Sequence, residues 1–146
     1  MQIIPSMGNH DFWPIEVQDF SKGPGESIVI NTVAELWREW IGDEATEKFL
    51  EYGYYSKQVK LPGFAGVGAS YPVTKFISMN TQSQNAWNFP KYRLKNDPGK
   101  QMKWLEKELK DLEAIGGQAI LIGHKLLFED SSEDWLHRFR ALHERY

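Results

Sequence analysis

The chain has 146 residues, with 17 Lys+Arg against 20 Asp+Glu and a formal charge of −3, and a domain of this length buries roughly 68–70% of its unfolded surface. The charges are interspersed, which argues against the basic stripe that nucleic acid or an anionic membrane requires. No apolar run approaches the roughly 18 residues of a membrane span, Gln2-Ile3-Ile4-Pro5 lacks the features of a signal peptide, and there is no cysteine and no N-x-S/T sequon. The expectation is a soluble chain without disulfides or thiol chemistry, in which any metal must use His, Asp, Glu or Asn.

In chain order, residues 2–7 predict a short apolar strand that runs into Gly8-Asn9-His10-Asp11. Thr32 with Glu35 three residues on has the form of a capping box, and Val33, Leu36, Trp37, Trp40 and Ile41 follow at amphipathic helical spacing up to Gly42. Asp43 can open a second helix, stopped after Tyr52 by Gly53. Tyr54, Tyr55 and Val59, then Phe76 to Met79, predict two strands, a possible hairpin, joined by a loop with Pro62, Gly63, Gly66 and Gly68. Residues 80–97 are rich in Asn, Gln, Pro and aromatics without periodicity, a length at which a loop is often functional.

Asp97-Pro98 is a strong helix start, and Met102, Leu105, Leu109 and Leu112 trace one face until Gly116-Gly117. Ala119 to Ile122 predicts a strand buried on both faces of an α/β sheet, with Gly123-His124 at its carboxyl end. Ser131 or Ser132 opens a last helix carrying Trp135, Phe139 and Leu142 on one side and running to Tyr146 without a stop signal. Together with the abrupt N-terminal strand, this end suggests a piece of a longer chain.

Two of these strands end in groups capable of chemistry, where open α/β sheets place their ligand sites. Singly each is weak. A histidine after a buried strand is more often a hydrogen-bonded structural residue, and Gly-Asn-His can be only a tight turn. Together, an Asn carbonyl oxygen and a neutral imidazole can both bind metal, and a second imidazole beside a phosphate can donate a proton. The helix-spaced aromatics Trp37, Trp40, Trp104, Trp135 and Phe139 are read as core, whereas Trp13, Trp87, Phe89 and Tyr92 fall in loops near the strand ends, where a choline or acyl-chain contact is an option. Glu129-Asp130 and Glu133-Asp134 read as a solvated helix start.

Gly8-Asn9-His10-Asp11, Phe76-Ile77-Ser78-Met79-Asn80, Asp97-Pro98-Gly99-Lys100-Gln101 with Trp104-Leu105, and Ile120-Leu121-Ile122-Gly123-His124 occur in the order found in calcineurin-like metallophosphoesterases. More narrowly, the chain resembles the acid sphingomyelinase group over nearly its whole length. The resemblance implies residues 1–146 as a partial catalytic domain, α/β in class and part of a double β-sheet sandwich flanked by helices. It also implies two divalent cations, commonly zinc, at the strand ends. Asn9 and His124 would then bind the same metal, His10 would protonate the leaving alkoxide, and Asp11 would brace the loop. The implied chemistry is in-line displacement at a phosphodiester between two cations, which for sphingomyelin yields ceramide and phosphocholine. The group's compartment, secreted or lysosomal, comes with the resemblance.

Departures limit it. The family's Asp-x-His, bridging Asp and Gly-His-x-His do not occur in these residues, and His137 and His143, six apart in the last helix, do not replace them. Lys125-Leu126-Leu127 stands where the family usually has Pro-Pro-Gly. Two rivals follow: a non-catalytic interaction module that kept the fold, and a related enzyme acting on another phosphate ester such as a nucleotide.

Overall fold

A computed structural model describes residues 2–59, 73–94, 97–125 and 131–146. Among these residues four α-helices, α1 (Ile28–Ile41), α2 (Asp43–Tyr52), α3 (Gln101–Ala114) and α4 (Glu133–Arg145), flank three strands, β1 (Tyr55–Val59), β2 (Thr74–Ser78) and β3 (Gln118–Ile122). The sheet has the order β1-β2-β3, antiparallel between β1 and β2 and parallel between β2 and β3. This mixed sheet flanked by helices is the expected α/β class and is compatible with part of a metallophosphoesterase sandwich. The predicted glycine-rich link and Glu129-Asp130 lie outside the described residues.

Alternation along the strands assigns the two cores. Tyr55 faces one side, where it packs with Met7, Phe12, Ile30, Ala34, Ile41, Ala45 and Phe49 under α1 and α2. Ile77 faces the other, with Met79, Met102, Leu105, Trp135 and Phe139 under α3 and α4. Most of the predicted core aromatics serve these clusters: Trp37 lies 5.3 Å from Phe49, and Trp135 stacks on Phe139 at 5.2 Å.

Several expectations are corrected. Residues 2–8 form no strand; they cross the Tyr55 face, where the Pro5 carbonyl accepts from the Tyr55 hydroxyl (2.8 Å) and the Ser78 hydroxyl (2.9 Å). Proline has no N–H to give a ladder, and its carbonyl is taken by side chains. Helix α1 starts earlier than expected, because Ser27 rather than Thr32 is the N-cap, its hydroxyl accepting from Ile30 N–H. Its buried stripe is consequently Ile30, Ala34 and Ile41, with Leu36 and Trp40 turned outward. Strand β3 is only half-buried, with Leu121 36% exposed, rather than covered on both faces.

The start of α3 also differs. Pro98–Lys100 is a 3-10 turn in which Gly99 and Lys100 have φ of 66° and 54°. The α-helix proper opens at Gln101, and Asp97 still caps it across the turn, accepting from Met102 N–H (2.9 Å) and Lys103 N–H (3.1 Å). Among the described residues no helix is long and apolar enough to cross a membrane.

The first part of the aperiodic segment, residues 80–85, lies in the interior, and Asn88 with it. Asn80, Gln82, Ser83, Gln84, Asn85 and Asn88 are each at most 1% exposed. Asn80 has all of its polar groups engaged. Its N–H donates to Gln101 Oε1 (2.8 Å), its carbonyl accepts from Gln101 Nε2 (3.1 Å), its amide donates to Gln18 Oε1 (2.6 Å) and the Tyr52 carbonyl (2.7 Å), and its Oδ1 accepts from Gln82 N–H (3.1 Å). Lys91 is drawn in as well, its ammonium donating to the Gln84 carbonyl at 2.6 Å, and burial pushes its pKa down to about 8. Buried amides are tolerated where such partners are supplied; Gln82 Nε2 is buried without one.

Gln101→Leu strips both Asn80 backbone groups of their partner and leaves them buried, so a loss of about 2–4 kcal/mol is expected in urea unfolding. Lys103→Gln, on the exposed side of the same helix, should stay within about 0.5 kcal/mol.

Candidate functional site

The ends of β2 and β3 emerge side by side, and Met79 N–H still donates to the Ile122 carbonyl at 2.8 Å. Past that bond, β3 leads to Gly123, His124 and Lys125, and the polar segment after β2 forms the floor beneath them. At Gly123 the Thr81 methyl leaves no room for a side chain, since an added Cβ would lie 2.9 Å from it. Thr81 Oγ1 accepts Lys125 N–H at 3.3 Å. The peptide carrying His124 is thus held against residue 81 from both sides.

The Gly8 loop approaches from the opposite direction. Asn9–Asp11 is a 3-10 turn closed by the Asp11 carboxylate, which accepts Gly8 N–H at 2.7 Å. A Cβ at Gly8 would sit 3.3 Å from the His124 ring, so glycine permits this approach. The result joins residues 115 positions apart: His124 Nε2 lies 2.9 Å from Asn9 Oδ1. Asn9 is 8% exposed, whereas His10 and Asp11 are exposed.

Behind Asn9 lies a group that reading the sequence missed. Glu16 Oε1 accepts from Asn9 Nδ2 (2.8 Å) and from Lys125 Nζ (3.1 Å), and its Oε2 accepts from Asn85 Nδ2 (3.2 Å). Lys125 Nζ also donates to Asn85 Oδ1 at 3.3 Å. Glu16 has φ of 67°, and its N–H donates to the Asn9 carbonyl at 2.9 Å. Burial works to raise the Glu16 pKa, but the hydrogen bonds from Asn85, Asn9 and Lys125, with the lysine charge, outweigh it and hold the carboxyl below its ordinary value. Lys125 occupies the position where the resembled family departs to proline, and that departure was its available signal.

The donor geometry suits one cation. Two ligands at zinc distances from a single ion, between square and tetrahedral angles, lie about 2.9–3.4 Å apart, and the 2.9 Å between Asn9 Oδ1 and His124 Nε2 falls in that range. Carbonyl oxygen and imidazole nitrogen are both acceptable donors for such an ion. Among the described residues no group of three His, Asp, Glu or Cys side chains converges, and Asn9 and His124 bring together two atoms able to act as donors. His137 sits on α4 beside Glu133, at 3.6 Å, away from the pair. An apolar groove of about 640 Å³ between α3, β3 and α4 contains none of the expected site residues.

Known proteins resemble the chain over most of its length. The mouse cyclic GMP-AMP phosphodiesterase SMPDL3A is 35% identical over 109 residues, covering 75% of this chain and 21% of the mouse protein. Human acid sphingomyelinase-like phosphodiesterase 3b is 31% identical, over 84% of this chain and 24% of its own length. Sphingomyelin phosphodiesterase B of Dictyostelium discoideum is 27% identical over 99% of this chain and 21% of its own length. The chain is a homologue of the acid sphingomyelinase-like phosphodiesterases. No family model matches it. It spans about a quarter or less of the length of these curated phosphodiesterases.

The lowered Glu16 pKa has a definite consequence for stability. A carboxyl whose folded pKa is depressed contributes stability that is complete above its unfolded value and lost as pH falls through the folded value. Wild type and Glu16→Ala should therefore differ by a constant margin above about pH 5, and the margin should shrink as pH drops below the ordinary glutamate value of 4.5. Urea midpoints measured from pH 7 to pH 3 check this.

Proposed function

We propose that residues 1–146 are part of the catalytic domain of a metal-dependent phosphodiesterase, with Asn9 and His124 as donors to one of two divalent cations, zinc by resemblance. The observation that carries this reading is the 2.9 Å approach of Asn9 Oδ1 to His124 Nε2 across 115 positions, at the sheet edge where α/β folds bind ligands. When bound, the cations would supply charge stabilisation to the attacking and leaving oxygens of an in-line displacement. His10, exposed and next to Asn9 on the same turn, is the proton donor to the leaving alkoxide. Asp11 supports that role by holding the turn through Gly8 N–H.

Trp13, Trp87, Phe89 and Tyr92 are exposed, and their flat apolar faces are the groups proposed to contact a choline or acyl chain of the substrate. Sphingomyelin is the substrate proposed, with support from the Dictyostelium relative, a sphingomyelin phosphodiesterase by name. A second reading, a cyclic dinucleotide, is favoured by the mouse relative, named as a cyclic GMP-AMP phosphodiesterase. A secreted or lysosomal location rests on the resemblance alone.

In a protein that supplies the remaining ligands, His10→Ala should depress turnover of poor alkoxide leaving groups by about 10²–10⁴-fold while sparing activated aryl esters, which leave without a proton. Equal losses for both substrates would remove His10 from the acid role. Asn9→Ala and His124→Ala should slow both substrates together and lower metal content. For residues 1–146 alone, the expected outcome is weak zinc or cobalt binding and no phosphodiester turnover, since the bridging Asp and the other ligand motifs are not in this sequence. Robust turnover that depends on added metal and on His10 would contradict that.

A further inference from the structure

A primary amide has one end that donates and one that accepts, and the two are nearly the same shape. Nothing in the size of Asn9 therefore decides whether its oxygen or its NH2 faces His124. A cation needs the oxygen there; an NH2 in that place would repel it. What does decide the matter is the group on the other side of the amide.

Glu16 as a carboxylate can only accept, and it lies 2.8 Å from Asn9 Nδ2. If Asn9 were reversed, its Oδ1 would face Glu16 Oε1 with no proton between two acceptors. The same logic fixes Glu16 from behind. Lys125 can only donate, and it lies 3.1 Å from Glu16 Oε1 and 3.3 Å from Asn85 Oδ1, so Asn85 turns its NH2 to Glu16 Oε2 at 3.2 Å and to Gln82 Oε1 at 2.8 Å. Every member has one permitted orientation as long as Glu16 is ionised and acceptor-only.

We propose that Glu16 is a positioning residue that sets the polarity of the site, directing the Asn9 carbonyl oxygen at His124 and so presenting a ligand-ready oxygen beside the imidazole. Its functional meaning rests on the metal-donor reading of Asn9 and His124; the orientation itself does not. The arrangement leaves a signature in the metal-free protein. With Asn9 Oδ1 at 2.9 Å, neutral His124 must carry its proton on Nε2 to complete the hydrogen bond, and a cation arriving between them takes the place of that proton.

The test is the His124 tautomer, read from long-range 1H–15N correlations of labelled, metal-free protein at alkaline pH, with zinc affinity measured by calorimetry on the same samples. Wild type should be the Nε2–H tautomer. Glu16→Gln keeps the size but brings a donor of its own, so Asn9 can reverse and present NH2 to His124. The tautomer ratio should move toward Nδ1–H by about tenfold or more, the scale of one hydrogen bond to a charged group. Glu16→Ala, which adds no donor, serves as the second variant if Glu16→Gln does not fold, and should shift the ratio in the same direction. Zinc affinity should fall by about 10–100-fold, as for other groups that orient metal ligands. An Nδ1–H tautomer in wild type, or an unchanged ratio in the folded variants, overturns the proposal. A shifted ratio with zinc binding indifferent to Glu16→Gln, Asn9→Ala and His124→Ala alike upholds the positioning role and removes the metal reading.

Discussion

Burying a run of amides and hydroxyls beneath the strand ends imposes the constraint on which the rest of the molecule depends. Each such group left without a partner costs about 1–3 kcal/mol, and six of the residues between 80 and 88 are at most 1% exposed. The segment is tolerable only in a conformation that pairs most of these groups, Gln82 Nε2 being one buried atom left without a partner. That conformation recruits Gln101 from the first turn of α3 and Gln18 from the chain after the Asn9 turn. Two stretches distant in sequence are thus tied to Asn80, and the site inherits its shape from that tie. Thr81, the next residue, then bears on Gly123 and Lys125.

The Glu16 and Lys125 pair has a different character. Both side chains are mostly buried, at 24% and 16% exposure, and taking such charges from water offsets much of their attraction. Net stability is a weak reason for their presence. Direction is a stronger one, because an acceptor-only group and a donor-only group on either side of neutral amides remove the ambiguity that amides carry. The arrangement lies directly behind Asn9, where, in the metal site proposed above, the orientation of one oxygen would decide whether a cation is welcomed or repelled. It also explains a lysine directly after His124.

Periodicity made much of the fold legible. The second helix, the strands around Tyr55, Phe76 and Ile120, and the helix bearing Trp135 and Phe139 follow from spacing and from flanking Gly and Ser. Where local signals failed, a tertiary partner had intervened. Residues 2–8 have strand-like composition, but Tyr55 and Ser78 take the Pro5 carbonyl. Ser27 starts α1 ahead of the capping box at Thr32. The stretch from 80 to 88 has no period because its buried side chains answer to hydrogen-bond partners rather than to a face. Asn9, His10 and His124 could be named from their motifs and Lys125 stood out as a departure from the resembled pattern, but Glu16 belongs to no local pattern and becomes visible only once the chain brings it within hydrogen-bond reach.

The proposed metal chemistry requires two chain segments to offer one cation an oxygen and a nitrogen. Anomalous diffraction at the zinc edge, from crystals of this protein equilibrated with zinc, reads this out. A peak is expected about 2.0–2.2 Å from both Asn9 Oδ1 and His124 Nε2, lost in a crystal of the His124→Ala variant. Zinc held only elsewhere, or an Asn9–His124 contact that stays closed around a hydrogen bond at saturating metal, would contradict it.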